Sequence, residues 1–119
     1  MPDIQNNQIN ITGNKPGVVT ITLGENVLGG NEALDFSSKL YELNQQGIKC
    51  VVVNLQNVKM INSSGLGMLV GGLNTLKKND IKMLLAGLSE KIDVLLNMTH
   101  LNQVFTIFNN VDDALESCE

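Results

Sequence analysis

The chain has 119 residues, 43% hydrophobic and 17% charged, enough for one conventional core without disulfide or metal staples. A net charge of −4, with the eight basic residues scattered apart from the Lys77-Lys78 pair, argues against a nucleic-acid groove or an anionic membrane surface as partner. Aromatic residues amount to 3%, with no Trp, so bases find no stacking platform and the core must be built from Leu, Val, Ile and Met.

In chain order, Gln8 to Thr12 and Val18 to Leu23 read as two short strands. Gly13-Asn14-Lys15-Pro16-Gly17 between them is turn chemistry, which makes an antiparallel hairpin. Gly24 closes the second strand, and Gly29-Gly30-Asn31 opens a helix with Asn31 as its N-cap. Ala33, Leu34, Phe36, Leu40 and Leu43 recur at helical spacing until Gly47 stops the run. Lys49 to Leu55 is a continuous apolar strand of the kind that parallel sheets cover on both faces.

A helix follows from about Ser63 to Lys78 and ends at Asn79-Asp80. Ile81 to Ala86 is a further strand, and Ser89 caps a helix whose apolar face is Ile92, Leu95, Leu96 and Met98. Val104 to Phe108 is a short last strand, and Asn109-Asn110 turn into a terminal helix ending near Ser117. The order β-β-α-β-α-β-α-β-α predicts one α/β domain over residues 1–119, with a mixed sheet that starts in a hairpin.

The helix after Asn62 is the most informative stretch. Asn62 suits its N-cap, which leaves Ser63 and Ser64 in the first turn, where backbone N–H groups lack partners and an anion is favoured. At about 100° per residue, Leu66, Leu69, Val70, Leu73 and Leu76 form a core-facing stripe. Ser64, Met68, Gly71, Gly72 and Thr75 are expected on the opposite side, small and weakly apolar where a solvated face would carry Lys and Glu. Gly65, Gly67, Gly71 and Gly72 each cost a helix about 1 kcal/mol relative to Ala, and close approach of another backbone is the usual offset. That backbone is either the sheet inside or a partner outside, and the angular argument assigns Met68, Gly71 and Gly72 to the partner.

Enzyme readings find little to stand on. Ser63 and Ser64 lack the preceding glycine of a nucleophile elbow, and the single histidine, His100, falls at a helix end. No Gly-Lys-Ser or Gly-Lys-Thr is present, and Gly65-Leu66-Gly67 with Gly71 misses the dinucleotide spacing by one residue. Cys50, in a buried strand, and Cys118, in the tail, make neither a metal-ligand spacing nor a disulfide framework. No catalytic residue, metal or cofactor is expected. No signal-peptide pattern opens the chain and no apolar run reaches the ~18 residues of a membrane span, so a cytoplasmic location is expected.

Asn62-Ser63-Ser64-Gly65-Leu66-Gly67, following a hydrophobic strand, resembles the signature of bacterial anti-sigma factor antagonists, which are single STAS domains. The resemblance continues through Gly87-Leu88-Ser89, through Leu95-Leu96-Asn97-Met98-Thr99-His100-Leu101-Asn102-Gln103-Val104-Phe105, and to Asp112-Asp113-Ala114-Leu115. It implies the STAS fold, with helices packed mainly on one face of the sheet. It implies phosphorylation of Ser63 by a serine kinase that is itself the anti-sigma factor, release of that partner by the phosphate, and recovery by a metal-dependent serine phosphatase. Asn62, Ser64, Gly65, Gly67, Met68, Gly71, Gly72 and Thr75 would then be partner-binding, in a monomer or weak dimer. Asn62 stands where the family usually has Asp, Gly24-Glu25-Asn26-Val27 where it shows Gly-Glu-Leu-Asp, and His100 where it has glycine. The alternatives are a STAS scaffold or subunit of a larger complex, with Ser63 only a helix-start residue, and a small-ligand or nucleotide sensor using the same helix start.

Overall fold

The computed structural model describes residues 9–118. Strand β1 (Asn10–Lys15) pairs antiparallel with β2 (Val18–Thr22). The expected turn is tighter than its glycines imply: β1 runs on to Lys15, only Pro16 and Gly17 make the turn, and an irregularity between Gly13 and Lys15 absorbs the extra residue. Gln8, placed at the start of this strand by sequence, lies outside the described residues.

Helix α1 (Asn31–Gln45) follows a two-residue strand, β3 (Asn26–Val27), and leads to β4 (Cys50–Asn54). The N-cap of α1 is Gly30, not Asn31, and it makes no side-chain capping bond. Instead Glu32 reaches back and accepts the Leu28 N–H at 3.2 Å. Gly47, at φ +79°, takes the left-handed position just beyond the helix end. After β4 come β5 (Met60–Ile61), α2 (Ser63–Lys78), β6 (Lys82–Ala86), α3 (Glu90–Met98), a 3-10 turn (Leu101–Gln103), β7 (Thr106–Phe108) and α4 (Val111–Ser117).

The main sheet has the order β1-β2-β4-β6-β7. β2, β4, β6 and β7 are mutually parallel, as helical crossovers require. Period-two alternation sends Val19 and Ile21, Val51 and Val53, and Met83 and Leu85 to one face, where α1, α2 and α3 bury Phe36, Leu40, Leu69, Leu76, Ile92 and Leu96 against them. Val18, Cys50, Val52, Leu84 and Ala86 point to the other face, which α4 covers through Ala114. Three helices on one side and a short one on the other match the expected packing. A small parallel ladder between β3 and β5, unforeseen in the sequence, ties the segment before α1 to the segment before α2.

The expectation for the cysteines is overturned. Cys50 and Cys118 form a disulfide, with Cα atoms 5.9 Å apart and a sequence separation of 68. The terminal helix folds back onto the sheet and delivers its tail cysteine to the central strand β4, a proximity with no signature in sequence spacing.

Candidate functional site

The β3–β5 ladder sets the geometry at the start of α2. Glu25 accepts the N–H groups of Lys59 (2.7 Å) and Met60 (3.1 Å), and Val27 accepts that of Asn62 (3.3 Å), so both short strands are held in register. Asn62 is the N-cap in extended conformation, and its Oδ1 accepts the Gly65 N–H at 2.8 Å. The amide keeps the cap that an Asp would supply. Ser63 and Ser64 are the first two helical residues, both exposed, and no acidic residue occupies this first turn.

The two serines are not equivalent. Gly29, at φ +81°, brings its backbone against Ser64, so close that a Cβ there would lie 2.7 Å from Ser64 Cβ and 3.2 Å from its carbonyl. Only a residue free of a Cβ fits that approach. Ser64 is therefore approached by the loop before α1 through its Cβ and backbone, although it is exposed as Ser63 is.

The four glycines of α2 divide in pairs. A Cβ on Gly65 would collide with the Val27 carbonyl oxygen and with Ile61 Cγ1 (2.9 Å). One on Gly72 would meet Phe36 Cε2 at 2.7 Å and Leu40 Cδ1 at 3.0 Å. Gly67 and Gly71 are exposed, and nothing lies within 4 Å of a Cβ on either.

Met68 and Gly72, expected on the exposed side, are buried, Met68 at 7% exposure. The cause is α1, whose Phe36 and Leu40 pack against the flank of α2. The buried set Gly65, Leu66, Met68, Leu69, Gly72 and Leu76 centres about 60° away from the stripe drawn from leucines and valine alone, turned toward α1. Val70 and Leu73, both assigned to that stripe, are only half-buried. Ser63, Ser64, Gly67, Gly71 and Thr75 remain as the exposed arc.

Between α1 and α2 this arc borders a shallow cleft of about 190 Å³, with Ala33 and Ser37 on one wall, Gly67, Gly71 and Thr75 on the other, and Phe36 at its floor. Leu34 was expected on the apolar side of α1 but is 71% exposed, and Tyr41, two turns on, is 64% exposed. Both sit beyond Ser37 on the outer side of the same helix. Glu32 lies at the other end of this region. Burial raises its carboxyl above the ordinary value, the Leu28 and Gly29 N–H groups pull it back, and Asp35 adds a smaller upward push. One of its oxygens, Oε2, is buried without a hydrogen-bond partner. His100 stands in the left-handed region at φ 63°, a conformation that suits the glycine expected there.

Among the described residues no helix is long and apolar enough to cross a membrane, and no three His, Cys, Asp or Glu side chains cluster to hold a metal ion.

Comparison with known proteins gives three findings. The family model described as "STAS domain" matches residues 10–114. The anti-sigma-B factor antagonist of Staphylococcus aureus is 35% identical over 68 residues, a segment covering 57% of this chain and 63% of that protein. Among solved structures, a sulfate transporter family protein from Wolinella succinogenes superposes with a TM-score of 0.79 at 18% identity, over 90% of this chain and 88% of that one. The Bacillus cell fate determinant SpoIIAA in its phosphorylated form superposes with a TM-score of 0.72 at 15% identity, over 94% of this chain and all of that one. At these identities the structures establish a shared fold.

Proposed function

The chain belongs to the STAS-domain family, and within it we propose that it works as an anti-sigma factor antagonist, switched by phosphorylation of Ser63. It binds an anti-sigma factor that is also a serine kinase, releases the sigma factor held there, and is itself not an enzyme. The docking surface is the exposed start of α2 with the neighbouring cleft: Asn62, Ser63, Ser64, Gly67, Gly71 and Thr75, flanked by Ala33 and Ser37 of α1. Gly65, Met68 and Gly72 serve it from beneath, by fixing α2 against β3 and α1. The setting is cytoplasmic, and a serine phosphatase restores the unmodified state.

The observation that carries this reading is the pair Gly67 and Gly71. Each forfeits about 1 kcal/mol of helix stability relative to Ala, and among the described residues no group comes close enough to require the missing side chain. Outside the chain, a flat glycine surface lets a partner's backbone approach.

Phosphate on Ser63 would add roughly −1.5 to −2 charge and three acceptor oxygens. At a helix N-terminus that charge is favoured by ~0.3–1 kcal/mol, so the domain stays folded. Release must then arise at the interface, where a dianion has to be desolvated against a surface shaped for a neutral hydroxyl.

The test is incubation with the anti-sigma kinase and ATP, followed by intact mass and binding measurement. One phosphoryl group on Ser63 and loss of binding is expected. Ser63→Ala should bind and resist the switch, Ser63→Glu should bind weakly, and Ser64→Ala should still be phosphorylated. Modification of Ser64, or of neither serine, would replace this reading with the constitutive scaffold.

A further inference from the structure

The second face of the sheet is covered by a helix with little of its own to hold it there. α4 has seven residues, about two turns, well short of the length at which a helix persists alone. Its own side-chain hydrogen bonds include two local ones: the Asn110 cap accepts the Asp113 N–H at 2.8 Å, and Ser117 Oγ donates to the Ala114 carbonyl at 2.9 Å. Ala114 is its one fully buried side chain, and Val111 and Leu115 are half-buried. Beneath it lie Val18, Cys50, Val52, Leu84 and Ala86, none more than 6% exposed. The covalent link is the bond from Cys118, at the helix's C-terminal end, to Cys50 in the central strand. A cross-link closing so long a loop restrains the chain more than a short one would.

We propose that Cys50–Cys118 is a redox-controlled tether, which when oxidised clamps α4 over the second face of the sheet and when reduced lets it undock. The reductant is a dithiol. One donor thiolate attacks the Sγ of Cys118, the less buried of the two residues, and the Cys50–Cys118 bond breaks as Cys50 leaves and takes a proton. The donor's second thiolate then attacks the mixed disulfide and expels Cys118, which also takes a proton. Two electrons and two protons pass to the chain, and the donor closes its own disulfide. Cys50 is 1% exposed among apolar neighbours, which disfavours a thiolate there and favours reduction from frayed states of α4. Undocking turns the five sheet side chains from core into an apolar surface on the side opposite α1, α2 and α3. This tether does not depend on the function proposed for Ser63.

Hydrogen exchange of the full chain, oxidised with glutathione disulfide or reduced with a phosphine, tests the proposal, with thiols counted by alkylation and intact mass. The oxidised chain should take up no alkyl group and the reduced chain two. Amides of 111–117 should exchange at least about tenfold faster after reduction while those of 50–54 and 82–86 keep their protection. Cys118→Ser should behave as reduced in the absence of any reductant. Two alkylated cysteines in the oxidised chain would overturn the proposal, as would equal protection of α4 in both states. Loss of protection across β4 and β6 together with α4 would make the bond a general staple and overturn it equally.

Discussion

The two sides of α2 are built from the same residue types for opposite reasons. Toward β3 and α1, Gly65 and Gly72 are small because the Val27 carbonyl and the Phe36 ring occupy the space a methyl group would need. Toward solvent, Gly67 and Gly71 are small with nothing near them. On the first side the cost of glycine in a helix is repaid within the chain by close packing. On the second no described group of the chain offsets it, which is the observation the proposed docking surface rests on. Glycine content alone cannot separate these cases; the neighbours of the absent Cβ do.

The largest effect is expected at Met68. A carboxylate at this buried position would have to be desolvated without a partner, so Met68→Glu should lose at least about 3 kcal/mol in denaturant unfolding or leave the chain unfolded. A stable Met68→Glu would erase the distinction between the two sides. Next come the inner glycines. Gly65→Ala meets backbone, which cannot step aside, and should cost about 3 kcal/mol. Gly72→Ala meets the buried Phe36 ring and the end of Leu40, side chains rather than backbone, and gains helix propensity, so its net cost should be smaller, about 1–2 kcal/mol. Thermal melts of the two variants side by side check that order.

On the outer side the sign reverses. Gly67→Ala and Gly71→Ala should each stabilise the chain by up to about 1 kcal/mol. Gly71→Arg should likewise keep or slightly raise the melting temperature, while binding of the proposed anti-sigma partner collapses because the side chain fills the approach that partner would use. Destabilisation by any of these three would mean that the outer face packs against this chain after all.

The smallest effect concerns Glu32, beside the junction of the two helix starts. Burial raises its carboxyl pKa in the folded state, so its ionised form opposes folding. For a carboxyl raised in this way, the favourable contribution is complete below the ordinary value of 4.5 and is lost as pH rises through the folded value. Glu32→Gln should therefore melt slightly above the parent chain at pH 7, with the gap closing as pH falls from the raised folded value toward 4.5 and absent below it. Melts of both chains across that range read the difference directly.

Much of the fold was legible without coordinates because its signals are local. The N-caps Asn62 and Ser89, the stop at Gly47, the apolar run of β4 and the alternation of strands with helices depend on residues within a few positions of one another. They were enough for the parallel sheet and its helical crossovers. Local patterns also placed Ser63 and Ser64 at the start of α2, whereas the approach of Gly29 to Ser64 is a tertiary contact with no local signal.

What the tertiary structure alone decided involves partners far away in the chain. The buried arc of α2 is set by Phe36 and Leu40 as well as by the sheet, so a stripe read from its own leucines pointed about 60° off and left Met68 and Gly72 on the wrong side. The β3–β5 ladder has two residues per strand, too few to register as a pattern. Cys50 meets Cys118 because α4 folds back across the sheet over a separation of 68 residues. Hydrophobic periodicity reports that a face is buried, whereas the identity and angle of what buries it come only from how distant elements pack.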